Sequence, residues 1–226
     1  VEASIGAEVK KVLLISSDKS CTPTLCYGAS KLLAEKFVIA ANSYSKNTRF
    51  SIVRYGNIVG SRGSILETLL QNEDAEFKLT HKDMTRFFFM IDDAIQLSLF
   101  ALQNSLGGEI FLPHIRSFRI ADLFKLINPN KKYIVTGIRP DEKLHERLIS
   151  ESEVDRIALF GEYFVVVPEI TFWGNDVKKF YSDKKVNVQE TQFISNSATK
   201  LSEVEILRML KKEMERLGNK KWTSEH

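Results

Sequence analysis

Apolar residues run unbroken from Val12 to Ile15 and then give way to Ser16, Ser17, Asp18 and Lys19. A short continuous run of that kind, bounded by polar residues, predicts a strand covered on both faces, as in a parallel sheet. Val1 to Val9 reads as the end of a helix, and Lys10-Lys11 leads directly into the strand. Beyond a loop punctuated by Pro23, residues Tyr27 to Tyr44 take helical spacing. Leu33, Phe37, Ala40, Ala41 and Tyr44 are predicted to form the buried stripe of that helix. Phe50 to Tyr55, β-branched and aromatic, predicts a second strand, closed by Gly56-Asn57. Further strands are predicted at Thr85 to Met90, Glu109 to Leu112, Tyr133 to Thr136 and Tyr163 to Val167. Helices are predicted from Asp92 to Gln103, from Ile120 to Ile127, and from Ser202 to Leu217. Ser202 and Glu205 form a capping box for the last of these, and Ser64 is placed to cap a short helix through Asn72. Gly174 to Lys200 is polar and predicted to be loop-rich, and Gly218 to His226 to fray. Strands alternating with helices predict the α/β class.

Composition narrows the picture modestly. A hydrophobic content of 43% over 226 residues suffices to bury a real core. The net charge of +3 is dispersed, so nucleic acid is not an expected partner; Lys211-Lys212 and Lys220-Lys221 read as solvated helix ends. No apolar run approaches the roughly 18 residues of a membrane helix, and the first residues carry no leader pattern. Cys21 and Cys26 are too few for a disulfide framework and suit a reducing cytoplasm. His81 and His114 have no ligand spacing with other residues, so no metal site is expected.

Chemistry gathers at the end of the first strand. Tyr27 and Lys31 lie four apart, hence on one helix face a turn from each other. The ammonium of Lys31 there favours the phenolate of Tyr27, a usable base. Asp18 and Lys19 are adjacent groups of opposite charge type, able to divide acid and base work. Open α/β sheets carry their chemistry at this carboxyl end. Gly60-Ser61-Arg62-Gly63-Ser64 is a flexible basic loop whose backbone can approach an anion. Plainer readings stand beside these: an amphipathic helix start for Tyr27 and Lys31, an ion pair in a turn for Asp18 and Lys19, a surface loop for GSRGS.

The order of SSDK, Pro23 loop, YGASK helix, strand and RYGN resembles the extended short-chain dehydrogenase/reductases. Within them it resembles the C5-inverting UDP-N-acetylglucosamine 4,6-dehydratases, which open the pseudaminic acid pathway. IRPDEKLHE, residues 138 to 146, is similar to that family's IRPGEKLHE. The resemblance implies the C-terminal portion of an NAD(P)-binding Rossmann fold, a parallel sheet with helices, plus a small α/β substrate-binding lobe. Residues 1–60 would be the second Rossmann half, and residues 61–226 mainly the lobe with Rossmann segments interleaved. The Gly-rich half, roughly 100 residues in the family, is not in this sequence. The chain alone is therefore expected to bind NADP poorly, turn over little, and expose an unpaired strand edge.

The same resemblance implies catalytic roles for Ser17, Asp18, Lys19, Tyr27 and Lys31. Tyr27, assisted by Lys31, would take the 4-hydroxyl proton while Ser17 holds that oxygen. Lys19 would act on C5 and Asp18 would serve C6. It also implies NADP contacts from Ile15, Ser16, Tyr27, Lys31, Tyr55 and Gly56. UDP-N-acetylglucosamine would be met by Asn57, Arg62, Gly63, Ser64, Thr80, Arg86, Arg139 and Glu142. His145 is read as structural. A homo-oligomer packing through the YxxxK helix is expected. The sequence departs from the family at Asp141, usually glycine, and Glu67, usually proline. Two other functions stay open: a non-catalytic remnant that binds sugar nucleotides or pairs with a full-length paralogue, and a UDP-sugar 4-epimerase, which shares Tyr27 and Lys31 but has no need of the Asp18-Lys19 pair.

Overall fold

Among the described residues the apolar run after Lys10 forms an edge strand of the largest of three sheets. The computed structural model describes residues 1–61, 77–130, 132–171, 173 and 177–216. Strand β1 (Lys11–Ser17) pairs in parallel with β2 (Arg49–Tyr55), register Ser17 to Tyr55. The chain then crosses to the lobe through β3 (Asn57–Ile58), β4 (Phe77–Leu79) and β5 (Thr85–Phe89). It returns with β6 (Ile110–Leu112), leaves again for β7 (Arg116–Arg119) and β8 (Tyr133–Val135), and comes back with β9 (Ile157–Phe160) and β10 (Tyr163–Val166). The main sheet has the order β1-β2-β6-β10-β9, parallel from β1 to β6 and antiparallel at β10 and β9. The lobe holds a β3-β5-β7 sheet and a β4-β8 pair.

Burial on both faces explains why β2 reads as continuously apolar. Phe50 and Ile52 pack with Val38 and Ala41 of the Cys26–Ala41 helix on one side. Val53 packs with Ala94, Leu97 and Ala101 of the Ile91–Asn104 helix on the other. A third core, including Phe77, Leu79, Phe88, Phe118 and Leu123, fills the lobe beneath the Ile120–Ile127 and Glu203–Arg216 helices. The architecture is thus α/β, with a helix on each face of the main sheet.

One expectation is overturned. Leu33, Phe37 and Tyr44 are 59%, 62% and 55% exposed, and Ala40 is exposed too. The inward face of that helix carries Gly28, Glu35, Val38 and Ala41 instead. Counting apolar residues picked the wrong face because a carboxylate, Glu35, occupies the true one. The Asp92 cap is also corrected: the helix begins at Ile91, and Asp92 sits in its first turn, paired with Lys212 at 2.6 Å. Strands β3, β4, β7 and β9 were not anticipated, being short or rich in polar residues. The Ser202–Glu205 capping box forms, with Glu205 N donating to Ser202 Oγ and Ser202 N to Glu205 Oε2. The Ser64-to-Asn72 helix and the final tail lie outside the described residues.

Glu35 is 1% exposed because Arg54 of β2, also 1% exposed, answers it. Arg54 Nη2 donates to Glu35 Oε2 at 2.6 Å and Nε to Oε1 at 3.1 Å. The same guanidinium reaches Glu153 from Nη1 at 3.0 Å and the Leu148 carbonyl at 2.7 Å. Burial acts to raise Glu153, but the Arg54 charge and the hydrogen bonds from Arg54 and Ser150 outweigh it and hold the carboxyl below 4.5.

Removing one partner of such a buried cluster leaves uncompensated charge, so Arg54→Leu is expected to cost about 3–5 kcal/mol, read as a lower urea midpoint. The folded state also binds fewer protons at Glu153 than the unfolded chain does near 4.5. The stabilisation is therefore complete above that pH and lost as pH falls below it. Urea melts between neutral pH and pH 4 should show this acid loss, and Glu153→Gln should flatten it.

Candidate active site

At the carboxyl end of β1 the backbone turns into a single 3-10 turn, Asp18–Ser20. Ser17 caps it: its Oγ accepts from Lys19 N at 3.3 Å and donates to Asp18 Oδ1 at 2.9 Å. Lys19 Nζ donates to the same Asp18 oxygen at 3.0 Å. Asp18 is fully buried, and its Oδ2 has no hydrogen-bond partner. Gly56 stands beside that oxygen, and a Cβ on it would come within 2.5 Å of the Phe87 Cβ. Gly28 is constrained in the same way, since a Cβ there would lie 2.3 Å from the Lys19 carbonyl oxygen. The glycine of YGASK thus lets the helix approach the Asp18–Ser20 turn.

Tyr27 and Lys31 occupy one face of that helix, as their spacing requires. Tyr27 is 53% exposed, and Lys31 Nζ lies 5.9 Å from its ring centroid. The Lys31 ammonium is fixed from β1, donating to the Ile15 carbonyl at 2.9 Å. Tyr55, at the end of β2, is half-buried; burial and the neighbouring Tyr27 phenol push its own phenol up. Lys31 thus links Tyr27 to β1, with the exposed Ile15 and the half-buried Tyr55 at the same end of the sheet.

The lobe closes the other side. A cavity of about 250 Å³ is lined by Lys19, Tyr27, Arg86, Glu142, Lys143 and Glu146, among others. Arg86 is aimed by three carbonyls, those of Thr85, Leu144 and Lys143, at 2.7, 3.1 and 3.0 Å. Glu142 and Glu146 stand 3.8 Å from its guanidinium. Two links join the Cys21–Leu25 loop to the lobe: Thr24 Oγ1 donates to the Asp141 carbonyl and Lys143 Nζ to the Cys21 carbonyl, each at 2.7 Å. Burial acts to lower Lys19, yet the carboxylates of Asp18 and Glu146 outweigh it and hold the ammonium above its ordinary value. Cys21 is buried, and burial pushes its thiol up to about 12, away from the thiolate that nucleophilic chemistry uses.

The structure brings together Ser17, Asp18, Lys19, Tyr27, Lys31, Arg86 and Glu142. Ser16 points away, donating to Glu35 Oε1 at 2.5 Å. Asn57 is exposed at the start of β3. Thr80 donates to Met84 Sδ at 3.3 Å, and exposed Arg139 gives its backbone N–H to Glu142 at 3.2 Å; neither lines the cavity. Arg62, Gly63 and Ser64 lie outside the described residues. Asp141 takes φ +62°, a left-handed conformation that suits glycine and that aspartate tolerates better than most. Sequence reasoning missed Lys143 and Glu146 as site residues, although both stand in IRPDEKLHE. Among the described residues no cluster of three or more His, Cys, Asp or Glu could hold a metal.

An inverting UDP-N-acetylglucosamine 4,6-dehydratase of Campylobacter jejuni is 39% identical over 181 residues, 78% of this chain and 54% of that protein. A UDP-glucose 4-epimerase of Rickettsia canadensis is 30% identical over 222 residues, 93% of this chain and 64% of the other. The X-ray structure of Pen from Bacillus thuringiensis superposes with a TM-score of 0.82 at 26% identity, covering 94% of this chain and 65% of that one. The chain spans about half the length of the dehydratase it matches. Residues 1–168 match the family described as polysaccharide biosynthesis protein, and the chain belongs to that family.

Proposed function

We propose that this chain is the catalytic-turn and substrate-lobe portion of an NADP-dependent lyase. The reaction is the 4,6-dehydration, with inversion at C5, of UDP-N-acetylglucosamine to a 4-keto-6-deoxy sugar nucleotide, a cytoplasmic step towards surface polysaccharide or pseudaminic acid. One observation carries the reading: Lys19, which lines the same cavity as Tyr27, is hydrogen-bonded at 3.0 Å to the buried Asp18 behind it. Oxidation and reduction at C4 need Tyr27 and Lys31 alone; removing water from C5 and C6 needs a second acid and base.

Tyr27 takes the proton of the 4-hydroxyl, and Lys31, tied to Ile15, keeps a positive charge beneath it. A nicotinamide dinucleotide, when bound, supplies the hydride acceptor that makes C4 a ketone and C5 acidic. Ile15, Tyr27, Lys31, Tyr55 and Gly56 would hold its nicotinamide end; the exposed Ile15 and Tyr27 leave room for it. Ser17 reaches the C4 oxygen by turning its hydroxyl from Asp18. Lys19 then works as base on C5, which requires its amine neutral and Asp18 protonated. A proton passing from Nζ to Asp18 Oδ1, along the hydrogen bond already present, produces that state. Asp18 next gives the proton to the departing C6 oxygen. Arg86 holds the sugar nucleotide from the lobe, with Asn57, Arg62, Gly63, Ser64 and Glu142 as further contacts. The exposed Leu33, Phe37 and Tyr44 on the Tyr27 helix supply the apolar surface of a homo-oligomer.

A UDP-sugar 4-epimerase is the second reading, favoured by the 30% identity to the Rickettsia canadensis enzyme. Mass spectrometry separates them. Expressed as its gene encodes it and given UDP-N-acetylglucosamine and NADP, the protein should yield a product lighter by one water. Lys19→Ala should lower that rate roughly 10²- to 10⁴-fold, whereas an epimerase would give an isomer of unchanged mass and tolerate the change. Tyr27→Phe should abolish turnover in either case. Phe37→Glu should shift the sedimentation profile to smaller species; a profile unchanged by it would place the contact elsewhere.

A further inference from the structure

We infer that Glu146 is a positioning residue of this site: a buried carboxylate, held by the lobe, that fixes where the Lys19 amine stands and when it carries its proton. The inference rests on the reading of Asp18 and Lys19 as the acid–base pair. Glu146 is 4% exposed. Its Oε1 lies 3.6 Å from Lys19 Nζ and 3.8 Å from Arg86 Nε, and its Oε2 lies 4.0 Å from Lys143 Nζ. That second oxygen is buried and accepts no hydrogen bond. A carboxylate taken out of water and short of hydrogen bonds is costly, and three cations, Lys19, Arg86 and Lys143, stand within 4.0 Å to offset that cost.

The placement of Glu146 does not depend on Lys19. Its N–H donates to Ser195 Oγ at 2.9 Å, and its carbonyl accepts from Ser195 N at 2.8 Å. Ser195 Oγ in turn meets Thr85 Oγ1 at 2.6 Å, and Thr85 meets His145 Nδ1 at 2.8 Å. The lobe therefore builds the carboxylate into place and presents it to an amine that follows β1. Three charged groups face Lys19: Asp18 from its own turn, and Glu146 and Arg86 from the lobe. Lys143 stands behind Glu146, and Glu142 is paired with Arg86 at 3.8 Å. Asp18 moves with Lys19, its neighbour in sequence. Among the described residues Glu146 is the negative charge that ties the amine to the lobe. It holds the proton on Nζ as well as the position, so it opposes the neutral state in which Lys19 would attack C5.

The test is Glu146→Gln, which keeps shape and removes charge. Lysine side chains labelled with ¹³C and ¹⁵N report the Lys19 titration by NMR, the resonance being assigned by its loss in Lys19→Ala. Without the carboxylate the ammonium should give up its proton at a lower pH, and the acid limb of kcat/KM for water loss should move the same way. Lys143→Met, which frees Glu146 from a competing cation, should move the Lys19 midpoint upward, and it serves if the glutamine variant does not fold. Glu146→Asp should keep the wild-type direction of both readouts. A Lys19 midpoint that moves in neither variant overturns the inference, since a merely structural glutamate would change folding yield alone. The NMR titration needs no turnover: absence of water-loss product from the wild type would sink the dehydratase reading, while the coupling of Glu146 to Lys19 is decided separately.

Discussion

A single buried guanidinium organises this molecule. Arg54 rises from β2 into the space beneath the Tyr27 helix and satisfies both Glu35 of that helix and Glu153 from a distant segment. An apolar trio could fill the same volume at no less stability, but it would lose a further set of bonds. Glu35 Oε1 also accepts from Ser16 and Ser20, at 2.5 and 2.6 Å. Those two serines bracket Ser17, Asp18 and Lys19 in sequence. One carboxylate oxygen thus pins both ends of the Ser16–Ser20 turn, and Arg54 pins the carboxylate. The geometry of the exposed chemistry is inherited from a charge cluster that never meets solvent.

The site proper lies where the end of the main sheet meets the lobe. Its cations are Lys19, Arg86 and Lys143, and each has a carboxylate of the site within 4.0 Å. At such distances inside a protein an ion pair is much stronger than in water, and an error in its geometry correspondingly more expensive. The lobe meets that demand with main-chain acceptors: three carbonyls aim Arg86, and Ser195 clamps the backbone of Glu146 on both sides.

Much of this was legible in the sequence. The strand ending in SSDK, the YxxxK face, and the capping box at Ser202 follow from local rules, and they form as expected. The buried stripe of the Tyr27 helix did not follow, because hydropathy ranks Leu33 and Phe37 above Glu35, and only a partner remote in sequence, Arg54, reverses the order. Short strands such as Arg116–Arg119 carry no alternation to read; they exist because β5 offers an edge. Glu146 escaped for a third reason. Within IRPDEKLHE, Arg139 drew the attention as an anion ligand, yet in space it is the last glutamate of the string that faces Lys19, while Arg139 is exposed.

The two links between the Cys21–Leu25 loop and the lobe share a property with consequences for how such a chain can drift. In both, the acceptor is a backbone carbonyl, at Cys21 and at Asp141, and the donor is a side chain, Thr24 or Lys143. Every amino acid supplies a carbonyl, so positions 21 and 141 can change identity without unfastening the loops. Position 141 answers instead to its left-handed backbone, which aspartate can adopt where relatives of the resembled family carry glycine. The demands are therefore lopsided across the same contacts: the donor sites must keep their side chains, while position 21 answers to its burial and position 141 to its backbone.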